Sequence, residues 1–283
     1  MFQYAFGRAA SLLLDRELVL DLSAMPTGRG QHIRSWDLPR LPIAPLRQMW
    51  GAGVRVSPKR PRRALGKITA LARKTLTPWR VEDPPEDQLL SFSRIPKPFA
   101  ICDGYWQSHH YFDRRSESIR RELRPANDLS GVGRRLLRRI EKRESIAVHV
   151  RRGDYANNPA VAAVHGALSS GYHRRAVKRI ADDLGDAVAL VFSDDPEWTI
   201  ENVRLDIETV HAEATESLSA VETLALMAHC NHHVIANSSL SWWGAYLAGA
   251  ESQRVTYPDR WFLDRPIDPA FRFPQHWRPL NVE

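Results

Sequence analysis

Two adjacent arginines end an apolar stretch in the segment VHVRRGDY, residues 148–155. Arg151 and Arg152 are permanently charged, and the fork of N–H groups on each guanidinium matches the oxygens of a phosphate. Gly153 follows at once, and we expect it to let the backbone turn sharply after the strand. The structural alternative is a salt bridge to Asp154. Arg152 is the better candidate for that bridge, because adjacent side chains at a strand end diverge.

A pair of carboxylates follows a second apolar stretch, in the segment SDDPEW. Either Asp194 or Asp195 is expected to cap a helix that begins at Pro196, and the sequence does not say which. The other carboxylate could accept hydrogen bonds from the ring N–H and the exocyclic amine of a base such as guanine. A metal site would need more oxygen ligands than these two residues supply.

The segment NSSLSWW, which begins at Asn237, predicts the start of a helix with Asn237 or Ser238 near its cap. A helix amino terminus offers unpaired N–H groups and a positive dipole end, so Ser238 and Ser239 are candidates for a phosphate-binding segment. Simple capping accounts for at least one of these serines. His149 could direct a ring nitrogen to the same place, although a lone histidine on a strand is more often a satisfied core residue.

Alternating strands and helices must position these segments. From residue 145 onward, the apolar strands are SIAVHV, VALVFS, HHVIAN and RVTYP, and the helical patterns are YHRRAVKRIADDL, PEWTIENV and SLSAVETLALMAHC. This alternation predicts a parallel sheet covered by helices on both faces. Ligands bind beyond the carboxyl ends of such strands, so the three polar segments should share one crevice and hold a nucleotide diphosphate. The absence of a P-loop and of a G-x-G-x-x-G pattern argues against a nucleotide hydrolase and a dehydrogenase.

The chain before residue 145 is less regular. MFQYAFGRAASLLLD predicts a helix and ELVLDL a short strand, while PFAICDGYWQSHHYF predicts a strand and an aromatic turn. We place the domains at residues 1–135 and 136–283. An α/β domain usually opens with a strand, and none precedes the first helix, so we expect the first strand and turn to be missing.

Composition points to a globular protein with one unusual segment. The 283 residues are 43% hydrophobic, and the two cysteines, Cys102 and Cys230, are read as free thiols of a reducing compartment. No stretch is long and apolar enough for a membrane span, and no signal peptide is evident, so a cytoplasmic location is expected. Residues 55–81 carry nine basic side chains and no acid. That segment is either a solvated loop with a short helix or a patch that contacts an anionic membrane surface or an anionic lipid-linked substrate, and nucleic acid is not expected as a partner.

These motifs closely resemble the bacterial alpha-1,2-fucosyltransferases of glycosyltransferase family 11. HVRRGDY, SDDPEW and MAHCNHHVIANSSLSWWGAYL carry the resemblance in order, and MFQYAFGRA and DGYWQSHHYF are similar to earlier family segments. The resemblance implies an α/β fold of the GT-B type, with two Rossmann-like domains facing a crevice. In the family, a strand and a glycine-rich turn precede MFQYA, so the resemblance also implies that this first strand is absent.

The resemblance further implies an inverting transfer of L-fucose from GDP-fucose to a galactose hydroxyl in alpha-1,2 linkage, without a metal or other cofactor. Residues 136–283 would bind the donor, and residues 1–135 would help bind a galactose-containing or lipid-linked glycan. By motif matching, Arg151 corresponds to the arginine on the beta-phosphate. By the same matching, His149 and one of Asp194 and Asp195 correspond to positions near the guanine, and Ser238 and Ser239 correspond to the phosphate-side segment.

The proton acceptor for the attacking hydroxyl is left open. Asp154 is the first candidate and His165 the second, while Asp154 as a structural partner of Arg152 competes with both. The complete set of candidate donor-binding residues is His149, Arg151, Arg152, Asp194, Asp195, Asn237, Ser238 and Ser239, with Arg151 and Asp154 as catalytic candidates. The alternatives are a non-catalytic nucleotide- or glycan-binding remnant, and a basic module that docks on a membrane or nucleic acid through residues 55–81.

Overall fold

The computed structural model describes residues 1–22, 37–44, 47–49, 79–85, 88–96, 100–126, 129–212 and 218–283. The chain divides into two compact units. The first comprises Met1–Trp36 and Ala44–Ile119, and the second comprises Asp37–Ile43 and Arg120–Glu283. Most of the basic segment, residues 55–78, lies outside the described residues.

Short helices and strands alternate through both units. The strands are β1 Val19–Asp21, β2 Arg47–Met49, β3 Trp79–Glu82, β4 Ala100–Asp103, β5 Glu144–Val150, β6 Ala187–Ser193, β7 Glu208–His211, β8 His232–Val234, β9 Val255–Pro258 and β10 Arg278–Leu280. The α-helices are α1 Phe2–Leu14, α2 Ser116–Leu123, α3 Gly131–Ile140, α4 Gly153–Asn157, α5 Pro159–Val164, α6 Ser170–Ala181, α7 Pro196–Asn202, α8 Ala220–His229, α9 Ser239–Ala248 and α10 Pro269–Arg272.

The second unit is built on a six-stranded sheet in which neighbouring strands are parallel, in the order β10-β9-β8-β5-β6-β7. The chain enters at β5 in the middle, adds β6 and β7 on one side, and then returns to add β8, β9 and β10 on the other. This is the strand order of the Rossmann fold, and the reversal lies between β5 and β8.

Strands β5 and β6 form the centre of the sheet and are buried on both faces. Ile146, Val148 and Val150 point to the face covered by α6 and α7. Ala147 points to the opposite face, where α3 and α8 pack. Because both faces are covered, these strands appear in the sequence as unbroken apolar runs, and the predicted parallel sheet with helices on both sides is confirmed.

Local capping fixes where the helices of this unit begin. The Ser169 side chain accepts a hydrogen bond from the N–H of Tyr172 at the start of α6. At the start of α8, Ser219 and Glu222 form a reciprocal capping box. Strands β7 and β10 and helices α4 and α5 were not predicted. Both strands are partly exposed, and both helices have six residues or fewer, too short to show a helical period.

The first unit contains α1 and two parallel strand pairs, β1 with β2 and β3 with β4. The predicted helix at the amino terminus and the predicted strand before the aromatic turn are both present. Phe6 of α1 stacks on the buried Trp106 with ring centroids 3.9 Å apart. The α/β class with parallel strands is therefore confirmed. Among the described helices, none combines the length and the apolar character needed to cross a bilayer.

Candidate active site

Three polar segments meet at the carboxyl edge of the second unit's sheet. Val150, the last residue of β5, pairs with Ser193, the last residue of β6, so Arg151 and Asp194 leave the sheet side by side. On its other side β5 pairs with β8, through Val148 and Val234. The segment that follows β8 therefore emerges at the same edge, and the three segments flank the point where the strand order reverses.

Arg151 is held between two carboxylates. Its Nη1 lies 2.8 Å from Asp194 Oδ2, and its Nη2 lies 2.7 Å from Asp154 Oδ1. Its guanidinium also lies over the ring of Tyr155, 5.2 Å from the centroid. The side chain is 28% exposed, so a ligand can still reach it. The expected pairing of Asp154 with Arg152 is wrong. Because Arg151 and Asp154 are three residues apart at a helix start, it is their side chains that meet.

Asp194 organises the turn that follows β5. Its Oδ1 accepts hydrogen bonds from the backbone N–H groups of Arg152 and Gly153, at 2.8 and 3.1 Å. The backbone does turn directly after β5, since α4 begins at Gly153, but Gly153 is not among the residues with positive φ, so the turn does not require a left-handed conformation. Its role is to allow close approach, because a Cβ at Gly153 would lie only 2.8 Å from Asp194 Oδ2.

Arg152 and Asp195 form a second pair. Arg152 Nε lies 3.3 Å from Asp195 Oδ2, and its guanidinium lies over the ring of Trp198 at 4.0 Å. Asp195 also caps α7, because its side chain accepts from the N–H of Trp198. Asp195 is therefore the capping member of the aspartate pair. The contacts of Arg152 suit its structural interpretation, whereas Arg151 pairs with Asp154 and Asp194.

His149 is buried on β5, and its Nδ1 has no hydrogen-bond partner within the described part of the chain. Burial lowers the pKa of His149 to about 3. The charge of Asp194 opposes this shift, and the charge of Arg151 reinforces it. The ring is therefore neutral at physiological pH. A neutral imidazole keeps one nitrogen as an acceptor and the other as a donor, which suits hydrogen bonding to a base better than binding to a phosphate.

Asn237 is buried and ties three segments together. Its Nδ2 lies within hydrogen-bond distance of the carbonyl oxygens of His165, Gly166 and Trp261, at 2.9, 3.3 and 3.2 Å. The backbone carbonyl oxygen of Asn237 accepts a hydrogen bond from the Tyr155 hydroxyl at 3.1 Å. The side-chain Oδ1 has no partner within the described part of the chain. The side-chain amide nitrogen therefore holds the three segments together, and only the side-chain oxygen of Asn237 remains available to a ligand.

Ser238 is the cap residue of α9, as predicted, but its side chain makes no capping hydrogen bond. Ser239, the first residue of the helix, is exposed. No side chain thus covers the N–H groups of the first turn of this ten-residue helix from the cap position. An anion placed there would meet these N–H groups and the positive end of the helix dipole.

Tyr155 has a role that was not predicted from the sequence. Its ring stacks on His165 with centroids 4.7 Å apart and an interplanar angle of 9°. Burial lowers the pKa of His165, and its Nδ1 has no partner within the described part of the chain. The hint available in the sequence was the position of Tyr155, four residues after Arg151 on a helical turn. Asp154, Tyr155 and His165 thus line the part of the site next to Arg151.

Comparison with known proteins agrees with this geometry. The family model described as Glycosyl transferase family 11 matches residues 83–272. An alpha-1,2-colitosyltransferase of Escherichia coli is 28% identical over 98% of this chain and 93% of its own length. The O-antigen biosynthesis glycosyltransferase WbnK of Escherichia coli is 35% identical over 43% of this chain and 40% of its own length. Galactoside alpha-(1,2)-fucosyltransferase 1 of Ateles belzebuth is 28% identical over 74% of this chain and 60% of its own length.

The family match covers well over half of the chain and includes all three polar segments at the carboxyl edge of the sheet. The chain belongs to glycosyl transferase family 11.

Proposed function

We propose that this protein is an inverting glycosyltransferase that moves L-fucose from GDP-fucose to a galactoside hydroxyl, forming an alpha-1,2 linkage. The observation that carries the proposal is the position of Arg151, which follows the central strand β5 at the same sheet edge from which the segment leading into α9 emerges. The names of the relatives from Escherichia coli and Ateles belzebuth, which include alpha-1,2 sugar transfer, support the same reaction.

Two groups at the carboxyl edge of the sheet would bind the donor phosphates: the guanidinium of Arg151 and the amino end of α9. Arg151 would leave one or both of its carboxylate partners and bind the beta-phosphate of GDP with its guanidinium fork. The N–H groups in the first turn of α9, starting with that of Ser239, would bind the remaining phosphate oxygens. The guanine would then face His149 and one of Asp194 and Asp195. A carboxylate can accept from both the ring N–H and the exocyclic amine of guanine.

The same groups would promote the chemical step. The acceptor oxygen attacks C1 of fucose from the face opposite the phosphate, the bond from C1 to the phosphate oxygen breaks, and GDP leaves with the electron pair. Negative charge grows on the pyrophosphate as this bond breaks. Arg151 therefore interacts more strongly with the transition state than with the bound donor, which is the condition for catalysis.

The proton of the acceptor hydroxyl must go to a base. Asp154 is our first candidate because its carboxylate lies beside Arg151 and is 25% exposed. His165 is the second, because burial lowers its pKa and leaves the ring neutral and able to accept a proton. A comparison of Asp154→Asn with His165→Gln separates them, since only loss of the base should abolish the decrease of kcat as the pH is lowered.

The sugar carried by the donor has a second candidate. The relative that aligns with nearly the whole chain is named a colitosyltransferase, so a colitosyl donor is the alternative to a fucosyl donor. Colitose lacks a hydroxyl that fucose carries. Parallel assays with GDP-fucose and GDP-colitose, compared by kcat/KM, would identify the preferred sugar. Both donors share the same GDP site, so this choice leaves the binding proposal unchanged.

The roles of the two domains and the location of the protein in the cell are further proposals. We propose that residues 136–283 bind the donor and that residues 1–135 contribute to acceptor recognition. A location at the inner face of the membrane, with residues 55–81 near anionic lipid, rests on the charge of that segment. Vesicles with and without anionic lipid would test it by co-sedimentation, and equal recovery on both would contradict it.

The test of the function combines binding with product analysis. Calorimetry on the full chain should show binding of GDP-fucose and GDP, little binding of UDP, and loss of binding in Arg151→Ala. Incubation with a beta-galactoside should add one fucose, and NMR should place it on O2. Binding without transfer to any galactoside would favour the non-catalytic alternative. Absence of guanine-nucleotide binding by a folded chain would overturn the proposal.

A further inference from the structure

A histidine–histidine–aspartate cluster lies in the first unit, in the segment between β4 and α2. Asp113 Oδ2 is 2.7 Å from His109 Nδ1 and 3.5 Å from His110 Nδ1. One potential ligand atom from each of the three residues lies within 4.8 Å of the other two. The donor-site residues belong to the second unit, and the proposed reaction does not use this cluster.

The backbone brings these side chains together in an unusual way. The residues lie in two consecutive 3₁₀ turns: the histidines are in His109–Tyr111, and Asp113 begins Asp113–Arg115. Asp113 follows His109 by four residues. A single hydrogen bond from His109 would satisfy that spacing. Here the adjacent ring of His110 also approaches the same carboxylate, and the two imidazole centroids are only 4.0 Å apart. Side chains of neighbouring residues often diverge, so their convergence on one oxygen calls for a common partner.

The separations are close to those of a metal site. Tetrahedral Zn²⁺ binds nitrogen and oxygen ligands at about 2.0–2.1 Å, so its ligand atoms lie about 3.3 Å apart. One measured separation, 3.5 Å, is already near this value. The other, 2.7 Å, would open by about 0.6 Å, which a small rotation of the carboxylate can provide. Two imidazoles and one carboxylate are a donor set that suits Zn²⁺ and similar ions.

We propose that His109, His110 and Asp113 bind a divalent transition-metal ion such as Zn²⁺, with water completing the coordination. His109 is buried, so it would anchor the ion to the core of the first unit. The side chains of His110 and Asp113 are 40% and 44% exposed, which leaves a route for the ion to enter. Such an ion would tie the two 3₁₀ turns together and stabilise the unit, and this role is independent of the proposed fucosyl transfer.

Calorimetric titration of the EDTA-treated full chain with ZnCl2 tests the proposal. We expect about one equivalent of Zn²⁺ to bind, and at least about tenfold weaker binding in His110→Ala and in Asp113→Asn, since each variant removes one ligand. Both positions are exposed, so both variants should fold. The matched control is His276→Ala, which removes an exposed histidine of the second unit and should leave Zn²⁺ binding unchanged.

A melting measurement gives a second readout on the same proteins. At one fixed Zn²⁺ concentration, the Tm of the wild-type chain and of His276→Ala should rise, and the Tm of Asp113→Asn should rise clearly less because this variant binds the ion more weakly. The proposal is overturned if the wild-type chain shows no saturable Zn²⁺ binding. It is also overturned if His110→Ala and Asp113→Asn bind Zn²⁺ as the wild type does, because the ion would then occupy another site.

Discussion

The Arg151→Ala variant tests the donor site most directly. This arginine forms ion pairs with both Asp154 and Asp194, at 2.7 and 2.8 Å. The substitution removes the guanidinium that we propose binds the pyrophosphate of the donor. It also leaves two carboxylates facing the approaching phosphates without a compensating charge. Both effects weaken the binding of GDP-fucose.

The size of the effect follows from the exchange of partners. Hydrogen bonds that involve charged groups contribute about 1.5–3 kcal/mol each, and Arg151 can donate two of them to the beta-phosphate. The two partly exposed ion pairs that it gives up are each worth at most about 1 kcal/mol. If Arg151 gives up both ion pairs, the net loss is about 1–4 kcal/mol, which corresponds to a Kd raised about 5- to 900-fold. The loss in kcat/KM should be larger, because the leaving group gains charge in the transition state.

Arg143 provides a matched control at the opposite end of the same strand. It precedes β5, pairs with the two carboxylates Asp186 and Glu208, and has a side-chain exposure of 24% against 28% for Arg151. Arg143→Ala should therefore cost a similar amount of stability but leave nucleotide binding intact, because ligands bind at the carboxyl edge of the sheet.

Calorimetry with GDP and GDP-fucose, together with urea unfolding of both variants, would separate binding from stability. The reasoning is refuted if Arg151→Ala binds GDP-fucose within about twofold of the wild type. It is refuted equally if Arg143→Ala loses as much affinity as Arg151→Ala.

Three further predictions concern the same edge and its supporting core. If Asp194 or Asp195 reads the guanine amine, replacing that residue with asparagine should reduce the preference for GDP over IDP about tenfold in calorimetry, and an unchanged preference in both variants would exclude this role. Burial lowers the pKa of His149 to about 3 and that of His233 to about 4, so the unfolded chain takes up protons near pH 6.5 before the folded one does. The free energy of unfolding should therefore fall between pH 6.5 and pH 4 by about 1.4 kcal/mol per pH unit for each histidine, and equal values from urea titrations at pH 7.5 and pH 5 would contradict this. Gly153→Ala should push the Asp194 carboxylate away and weaken GDP binding about tenfold in calorimetry; the free energy of unfolding should fall as well, because that carboxylate accepts hydrogen bonds from the Arg152 and Gly153 N–H groups, and unchanged affinity would show that the close approach is unimportant.

Several features of the fold were predictable because they arise from local patterns. The strands β5 and β6 are buried on both faces, so their apolar runs identify them directly. Helix α8 begins at a local signal in the sequence, because Ser219 and Glu222 form a capping box within four residues. Strand β10 could not be found in this way, because its residues are partly exposed and carry no strand pattern.

The membership of the candidate site was also predictable, because strand ends in a parallel sheet share one edge. Arg151, Asp194 and Ser238 each follow a predicted strand, and the structure brings their segments to the same edge. The sequence itself therefore determined the α/β class, the three polar segments and their common location. It did so because strand direction and apolar periodicity are local properties that leave their mark on consecutive residues.

The pairings within the site depend on the tertiary structure. Asp194 lies 42 residues after Arg152 in the chain, yet its carboxylate accepts the Arg152 N–H, and only the register of β5 against β6 creates that contact. The same register decides that Asp194 supports the turn while Asp195 caps α7. It also explains Gly153, whose importance comes from the approach of Asp194 and not from its own φ. Such contacts depend on where two distant segments end in space, and that position is fixed only when the whole sheet has formed.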